Sequence, residues 1–522
     1  MTTRQADLHY AIGRIRAATR CRRSPKVAIV GAGFGGLGAA VALRRAGVDD
    51  IVIIEGSDGV GGTWRSNTYP GAACDVQSHF YSFSFALNKS WSRTYARQPE
   101  ILQYLESVAD DFDLRRHLML GTHLRRARWN EDSWQWELEL HRHGVDRATT
   151  IDVDVVVSAV GLFGSPKLPE ISGLDEFRGA LMHTSRWDDT VDLAGKRLAV
   201  IGTGASGVQV IPELAKSASR LTVFQRSPPW MVPKDDRPYS ANELARFRRN
   251  PLAARLERWR IWKFFHDNTA TMADDPLVSS RAHFASSFLE RTVLDGTLRR
   301  ALTPDYPFRC KRVLLGDDFY LALQESHLEL VTEPIAQVTQ NSVITTNGDV
   351  TDVDAIVLAT GFETSEYLPG IEVVGAGGTT LHERWGREPE AFLGTAVSGF
   401  PNFFMLYGPN TNQAGSSIVY VLEAGARLVA SAAARLARRG GFLEVRPDVE
   451  RRYNDRLGAD LERTVWTQCG SYFRSPAGRI ITQWPYTEVE YARRTWRLRP
   501  KGWIHRTGDR AADPVTTQQR VR

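Results

Sequence analysis

The sequence predicts an α/β protein with two parallel-sheet units and an inserted run of helices. Two glycine-rich turns carry this prediction, Gly31-Ala32-Gly33-Phe34-Gly35-Gly36 and Gly202-Thr203-Gly204-Ala205-Ser206-Gly207. Each turn follows a short apolar run and precedes a stretch of helical character. A glycine pattern alone is weak evidence, whereas a strand, a glycine turn, a helix and a second strand in that order indicate a Rossmann-like dinucleotide-binding domain. The chain therefore has two such domains.

Apolar runs and their spacing predict the elements in chain order. Residues 1–24 are a polar, Arg-rich extension with one amphipathic helix at 8–20. The first unit then has a strand at 26–31, a helix at 37–45, a strand at 51–55, a helix at 99–111 and strands at 131–140 and 154–161. The second unit has a strand at 197–202, a helix from residue 205 and a strand at 221–225. Helical periodicity at 244–265 marks the insertion, strand character returns at 328–331 and 355–360, and the stretch 401–408 returns the chain to the first unit.

The first glycine turn predicts an FAD site. Glycines permit a tight turn and let the backbone approach a pyrophosphate at a helix N-terminus. Glu55 follows about twenty residues later, at the end of the second strand, where an acidic side chain binds ribose hydroxyls. The predicted ligands at this turn are Gly31, Gly33, Gly36 and Glu55.

The second glycine turn predicts an NADPH site. Gln225 stands where a carboxylate would select NADH, and Arg226 follows it. A carboxylate would repel a 2′-phosphate, whereas an arginine binds it. The predicted ligands here are Gly202, Gly204, Ser206, Gly207 and Arg226.

The two sites divide the chain into alternating parts. We predict an N-terminal extension at 1–24, an FAD-binding domain at 25–164 and 381–502, an NADPH-binding domain at 165–229 and 311–380, a helical insertion at 230–310 and a polar tail at 503–522. Residues 158–161 and 359–361 are the predicted crossings between the two nucleotide-binding domains.

Bulk composition excludes several classes of protein. The 522 residues are 42% hydrophobic and 24% charged, as in ordinary globular proteins. The net charge of +6 is small for this length and its acidic residues are interspersed, which argues against a nucleic-acid partner. No apolar run reaches about 18 residues and no secretory signal is apparent, so we expect a cytoplasmic protein that does not act at a membrane.

Cysteine usage predicts free thiols. Cys21, Cys74, Cys310 and Cys469 lie far apart and form no Cys-x-x-Cys pair. This spacing supports neither a zinc site nor a redox-active disulfide, and we predict no bound metal.

A twelve-residue segment before the second glycine turn carries a family resemblance. Phe177, Gly179, His183, Trp187 and Asp188 meet every fixed position of the pattern Phe-x-Gly-x-x-x-His-x-x-x-Trp-(Pro/Asp). The chain thereby resembles the type I Baeyer–Villiger monooxygenases, over roughly residues 25–500. The resemblance implies that NADPH and FAD serve to convert a ketone and O₂ to an ester or lactone through a C4a-peroxyflavin.

The resemblance also implies site residues. It extends to the segment Gly61-Gly62-Thr63-Trp64, to the segment from Tyr69 to Asp75 and to Lys311-Arg312. It implies that Arg312 and Asp75 form the catalytic pair and also contact cofactor, that Lys311 is a second ligand of the 2′-phosphate, and that Thr63 and Trp64 lie at the flavin. A rigid guanidinium can stabilise negative charge on oxygen, and a carboxylate can orient it.

Other interpretations stay open at this stage. Without the resemblance, Asp75 is a turn or ion-pair residue, and His183 is better explained as a structural or hinge residue than as a base. Polar residues at 65–68 and 410–415 argue against a small cyclohexanone-like substrate. The nearest alternative function is N- or S-oxidation, which Trp187 disfavours. Two further alternatives are a disulfide reductase and a non-catalytic flavoprotein. The first would need a redox-active cysteine pair, which the sequence does not offer, and the second would be recognised by its failure to oxidise NADPH.

Overall fold

The structure is a computed structural model that describes residues 24–269, 271–413 and 415–507. The predicted helix at 8–20 and residues 508–522 of the predicted tail lie outside the described residues. The helices are α1 Phe34–Arg45, α2 Thr63–Ser66, α3 Gln98–Asp111, α4 Gly207–Ala215, α5 Ala241–Arg249, α6 Pro251–Asp267, α7 Pro276–Thr292, α8 Gly296–Ala301, α9 Phe319–Ala322, α10 Leu381–Trp385, α11 Ile418–Arg439, α12 Pro447–Leu461 and α13 Glu488–Thr495.

The strands are short, and fewer than half of those described lie where the apolar runs predict strands. They are β1 Val27–Val30, β2 Ile51–Ile54, β3 Leu118–Met119, β4 Thr122–Asn130, β5 Gln135–Arg142, β6 Thr149–Val153, β7 Val155–Ser158, β8 Ala180–His183, β9 Arg197–Ile201, β10 Arg220–Phe224, β11 Met231–Val232, β12 Leu314–Leu315, β13 Leu328–Val331, β14 Ile335–Val338, β15 Ser342–Thr345, β16 Val350–Asp352, β17 Ala355–Leu358, β18 Glu372–Val374, β19 Phe403–Met405, β20 Phe442–Val445 and β21 Trp503–Arg506.

Two five-stranded parallel sheets form the framework, which confirms the predicted α/β fold. The first has the order β19-β7-β1-β2-β3, and the second has the order β13-β10-β9-β17-β8. All pairings within both sheets are parallel. The central strands β1, β7 and β17 are buried along their whole length, as expected of parallel strands covered on both faces. On the first sheet, α11 packs against α1.

Two chain segments connect the sheets and run side by side. Lys167 donates a backbone hydrogen bond to the carbonyl of Gly361 at 2.9 Å, and Glu363 donates one to the carbonyl of Ser165 at 3.0 Å. An antiparallel bridge joins Pro166 and Phe362 between them. The segments that leave β7 and β17 therefore form a paired connection between the two nucleotide-binding units.

Helices α5 to α8 lie between the short strands β11 and β12. Ser240 and Glu243 form a capping box at the start of α5. The helical periodicity at 244–265 is split into two helices, because Asn250 is extended, caps α6 with its side chain and is followed by Pro251 at the first helical position.

Two predictions about the ends of segments are wrong. Residues 503–506 are not part of a loose tail, because β21 pairs antiparallel with β20 and Trp503 is buried. The strand predicted at 131–140 begins only at Gln135, since the residues before it form a turn in which Trp134 has a φ of 53°. The remaining domain boundaries stay predictions.

The prediction of free thiols is wrong for two cysteines. Cys310 and Cys469 form a disulfide across 159 residues of sequence, and their Cα atoms are 6.0 Å apart. Spacing along the chain does not reveal such a pair, because the fold brings together two loops that are distant in sequence. Cys74 is a buried free thiol, and Cys21 lies outside the described residues.

Within the described part of the chain, no helix combines the length and apolar character needed to cross a membrane. The same residues contain no group of three or more His, Cys, Asp or Glu side chains that could hold a metal ion.

Candidate active site

The first glycine turn packs so closely that side chains would not fit. Gly31 has a φ of +104°, and a Cβ there would lie 2.6 Å from the carbonyl oxygen of Ala159. A Cβ on Gly36 would collide with the carbonyl oxygen of Gly31. No side chain caps α1 at Gly33, so its first backbone N–H groups are available to an anion.

Glu55 lies at this turn, as the sequence predicts. One carboxylate oxygen accepts a hydrogen bond from the backbone N–H of Ala32 at 2.7 Å. The other accepts from the backbone N–H and the hydroxyl of Ser57, both at 2.8 Å. The carboxylate is therefore fixed beside the glycine turn. Its contact with a ribose stays a prediction.

The second glycine turn repeats the same packing. Gly202 has a φ of +108°, and a Cβ there would lie 2.6 Å from the carbonyl oxygen of Ala359. A Cβ on Gly207 would collide with Gly202, whereas Gly204 faces open space and Ser206 precedes α4 as its N-cap. Both turns thus present a helix N-terminus beside a close backbone crossing, which is the cradle that a dinucleotide pyrophosphate requires.

A cationic group lies next to the second turn. The Lys311 ammonium donates to the hydroxyl of Ser227 at 2.9 Å. Burial lowers the pKa of Lys311, and the nearby charge of Arg226 lowers it further. Gln225 is held by Thr203 at 3.2 Å and by the carbonyl of Ala301 at 2.8 Å, so the position that would repel a 2′-phosphate is neutral. The two predicted phosphate ligands are brought together.

The segment from Tyr69 to Asp75 connects the two units. The Tyr69 hydroxyl donates to the side-chain oxygen of Gln209 on α4 at 2.8 Å. The Gln209 amide donates to the carbonyl of Ala73 at 2.9 Å. Gly71 has a φ of +84°, and a Cβ there would collide with the backbone of Gln209. This segment is therefore pressed against the second unit, and Asp75 lies at its end.

Asp75 and Arg312 form the predicted pair across 237 residues of sequence. Both the Nε and an Nη of Arg312 donate to the same carboxylate oxygen, the former at 3.1 Å. Burial alone would raise the pKa of Asp75, but the charge and hydrogen bond of Arg312, together with the charge of Lys234 and a backbone hydrogen bond, place that pKa below its ordinary value. The charge of Asp75 raises the pKa of Arg312 in turn. The pair is ionised, with guanidinium N–H groups left over to face a ligand.

Three residues near this pair escaped the sequence analysis. The Tyr472 hydroxyl interacts with the Arg312 guanidinium. Tyr407 has a left-handed φ of 65° and donates to Asn412 at 2.8 Å. Lys234 lowers the pKa of Asp75 as a further cation, and burial lowers its own pKa. These three residues come from loops without hydrophobic periodicity. The folded structure, rather than a sequence pattern, reveals that they lie near the ion pair.

The polar loop after β19 has an unusual buried amide. Asn410 donates to the carbonyls of Ile480 and Gln483 at 2.8 and 3.1 Å, and Asn412 donates to the Gln483 side chain at 2.6 Å. Gln413 is 6% exposed, yet neither atom of its amide has a partner among the described residues. A buried amide needs hydrogen bonds, so a bound polar group fits at this position. Together with the two glycine turns, this unpartnered buried amide indicates that the site suits FAD and NADP.

Thr63 and Trp64 begin the short helix α2. The Trp64 indole N–H donates to the Tyr81 hydroxyl at 3.1 Å, while Thr63 is exposed. Gly62, just before them, closely approaches Gly33 of the first glycine turn. The structure thus brings α2 beside the first turn. Phe83 is fully buried.

The signature residues are separated into two structural groups. His183 ends edge strand β8, and its ring lies 6.1 Å from Phe362 in the paired connection. Burial lowers the pKa of His183. Gly179 packs against the ring of Phe177.

Trp187 and Asp188 occupy the turn that follows β8. Trp187 packs on the core of the second unit. Asp188 is exposed, and its carboxylate accepts from the backbone and hydroxyl of Thr190 at 2.9 and 2.6 Å. None of these contacts touches Arg312 or Asp75, and of the signature residues, all of which the structure describes, His183 is the one that borders the paired connection. A hinge role for His183 stays a prediction.

Comparison with known proteins agrees with this arrangement. The family model for flavin-binding monooxygenase-like proteins matches residues 24–267. A protein of Streptomyces coelicolor named Baeyer-Villiger monooxygenase is 41% identical over 481 residues, which is 91% of this chain and 91% of its own. A protein of the same name from Pseudomonas aeruginosa is 40% identical over 506 residues, which is 96% of this chain and 92% of its own.

Solved structures show the same fold. The closed structure of cyclohexanone monooxygenase has a TM-score of 0.82 at 28% identity and covers 93% of this chain and 99% of its own. Oxidised steroid monooxygenase bound to NADP has a TM-score of 0.81 at 32% identity and covers 93% of this chain and 100% of its own.

Proposed function

The chain belongs to the Baeyer–Villiger monooxygenases, which depend on FAD and NADPH, and we propose that Arg312 and Asp75 are the pair that carries out its oxygenation of a ketone. The single observation that carries this proposal is the ion pair itself, in which a carboxylate from the first unit holds a guanidinium from the segment after the helical insertion. A ketone and O₂ are the substrates, and an ester or lactone is the product.

Arg312 stabilises negative charge on oxygen during the reaction. FAD, when bound, supplies the activation of O₂ and NADPH supplies the electrons. Asp75 accepts from two N–H groups of the guanidinium and so holds it in place. Pre-organised donors cost no reorganisation at the moment of reaction, and such electrostatic stabilisation is often the largest single contribution to catalysis.

The two nucleotides have separate groups of ligands. At the first turn, Gly31, Gly33 and Gly36 with Glu55 would hold FAD, and Thr63 and Trp64 on α2 beside this turn would also contact it. At the second, Gly202, Gly204, Ser206 and Gly207 hold the NADPH pyrophosphate, while Arg226 and Lys311 bind its 2′-phosphate. This proposal is supported by the repeated packing of the two turns and by the adjacency of Lys311 and Arg226.

The domain division, the cytoplasmic location and the absence of a nucleic-acid partner stay predictions.

The test is product analysis with the purified holoenzyme. We expect bound FAD, NADPH oxidation that increases when a ketone is added, and one ester or lactone per NADPH consumed. A panel from cyclic to long-chain and steroid ketones would define the substrate, with an alkyl aryl sulfide as the probe of the alternative. Oxidation of the sulfide without ester from any ketone would overturn the proposal.

A further inference from the structure

A disulfide lies beside the proposed catalytic arginine. Cys310 directly precedes Lys311 and Arg312, and Cys469 lies three residues before Tyr472, whose hydroxyl interacts with Arg312. One covalent bond therefore ties the loop that carries the guanidinium to the loop that carries its tyrosine neighbour.

The two loops belong to no common helix or sheet. Residues 302–313 and 469–487 contain neither a helix nor a strand. Backbone hydrogen bonds of 2.9 Å tie the second loop to the polar loop after β19, from Asn410 to Ile481, from Asn412 to Thr482 and from Trp484 to Asn412. The second loop is held to itself by Arg474, which donates to the carbonyls of Thr467 and Gly478 at 3.2 and 2.8 Å. It is held to the chain beyond β17 by Thr364, which donates to the carbonyl of Tyr472 at 3.0 Å. The disulfide is the covalent tie between this loop and Arg312.

The two cysteines of the bond differ in burial. Cys310 is fully buried and packs in the same core cluster as Trp466 and Phe473, whereas Cys469 is half-buried. Disulfide exchange requires access to one sulfur atom. Cys74 does not compete in exchange, because it is fully enclosed and burial, together with Asp75, raises the pKa of its thiol.

We propose that Cys310–Cys469 is a redox modification site that sets how efficiently the enzyme couples NADPH oxidation to oxygenation. This inference rests on the proposed role of Arg312. A dithiol reduces the site: the bond between the two sulfurs breaks, each sulfur gains a proton and an electron, and the dithiol becomes a cyclic disulfide. Hydrogen peroxide reverses the change, because the two thiols yield two protons and two electrons and the peroxide becomes two waters.

Reduction frees the two loops from each other. Arg312 then keeps its bond to Asp75 but loses its fixed distance to Tyr472. Because a small misplacement of a positioned group costs much of its catalytic effect, electrons from NADPH end increasingly in hydrogen peroxide rather than in ester.

The first experiment counts thiols and is independent of any ketone. The air-oxidised holoenzyme is alkylated with N-ethylmaleimide in denaturant, before and after treatment with dithiothreitol, and its peptides are identified by mass spectrometry. We expect Cys310 and Cys469 to resist alkylation before reduction and to be alkylated after it, with Cys74 alkylated in both. Alkylation of all cysteines in the air-oxidised protein would overturn the proposal.

The second experiment measures coupling. Dithiothreitol is removed by desalting, and ester and hydrogen peroxide formed per NADPH are compared for oxidised enzyme, reduced enzyme and the variant Cys310→Ser/Cys469→Ser. We expect the ester yield per NADPH to fall several-fold on reduction, to recover after mild peroxide treatment, and to match the untreated variant, which dithiothreitol leaves unchanged. If the double variant does not fold, Cys469→Ser alone and the reduced wild type carry the test.

Two results separate the inference from its premise. A confirmed reduction that leaves the ester and peroxide yields unchanged would overturn the inference. If no ketone yields ester with the disulfide intact, the proposed function fails, and peroxide formed per NADPH still reports whether the tether controls the fate of the electrons. A lower melting temperature with unchanged yields would identify a purely structural disulfide and would equally overturn the inference.

Discussion

Replacing Arg312 by alanine tests the proposed mechanism most directly. Asp75 engages two guanidinium N–H groups, the Tyr472 hydroxyl also interacts with the guanidinium, and the N–H groups not engaged in this way are those we propose for charge that develops on oxygen. Removal of one pre-organised donor to such a charge typically lowers kcat by about 10² to 10³, or roughly 3–4 kcal/mol. We expect Arg312→Ala to lower ester formation by at least about 100-fold, because it removes the charge and every donor at once. Arg312→Lys keeps the charge without the planar fork and should recover only part of the rate.

The assay must separate oxygenation from folding and cofactor binding. FAD content is read from the absorption spectrum, ester is quantified by chromatography, and the melting temperature is recorded. The matched control is Arg128→Ala, which removes an exposed arginine from β4, outside the proposed site. Because Arg312 makes no contact with the first glycine turn in the described structure, its variant should retain FAD. Ester formation near the wild-type rate by a FAD-loaded Arg312→Ala enzyme would refute the mechanism.

Three further predictions follow from the nucleotide turns and the core. Arg226→Ala combined with Lys311→Ala should raise KM for NADPH by about 10-fold or more without a matching rise for NADH, because charge-assisted bonds to the 2′-phosphate contribute about 1.5–3 kcal/mol each; an equal rise for both cofactors would contradict this. Gly36→Ala should give protein without FAD, because the added Cβ would collide with Gly31. In the control Gly458→Ala, the added Cβ faces open space, and the protein should keep its flavin. Flavin absorption at equal protein concentration distinguishes the two results. Burial lowers the pKa of His79 from 6.5 to about 4 in the folded protein. Because the unfolded chain binds more protons between these pH values, the free energy of unfolding should fall by about 2 kcal/mol from pH 7 to pH 5. Urea titrations of His79→Leu should show that most of this pH dependence is lost.

The elements that the sequence predicts best are those whose signal is local. Each sheet starts with a buried apolar strand, a glycine turn and a helix, and all three are consecutive in the chain. The glycines are required by collisions with backbone a few residues away and with strand ends such as Ala159 and Ala359. A short stretch of sequence therefore contains most of the physical reason for the turn, which is why both turns could be predicted with the strands around them.

The errors lie where the signal is not local. The disulfide joins residues separated by 159 positions, and neither cysteine has a sequence neighbour that reveals its partner. The strand β21 pairs with β20 and Trp503 at its start is buried, although the residues after β21 are polar. The break at Asn250 was missed because apolar periodicity continues through it, whereas the cap and the proline act on the backbone.

The catalytic pair is intermediate between these cases. Neither Asp75 nor Arg312 has a pattern of its own in an arginine-rich chain, and only the family resemblance selected them; their contact depends on the segment from Tyr69 to Asp75 being pressed against Gln209. Tyr472 had no such guide, and Gln413 was noted only as part of the polar stretch 410–415. Both come from irregular loops near the pair, and such loops are the parts of the site most free to differ between enzymes that share the same two nucleotide turns. The chemistry of the reaction is therefore readable from motifs, whereas the choice of ketone depends on residues that only the folded loops bring to the site.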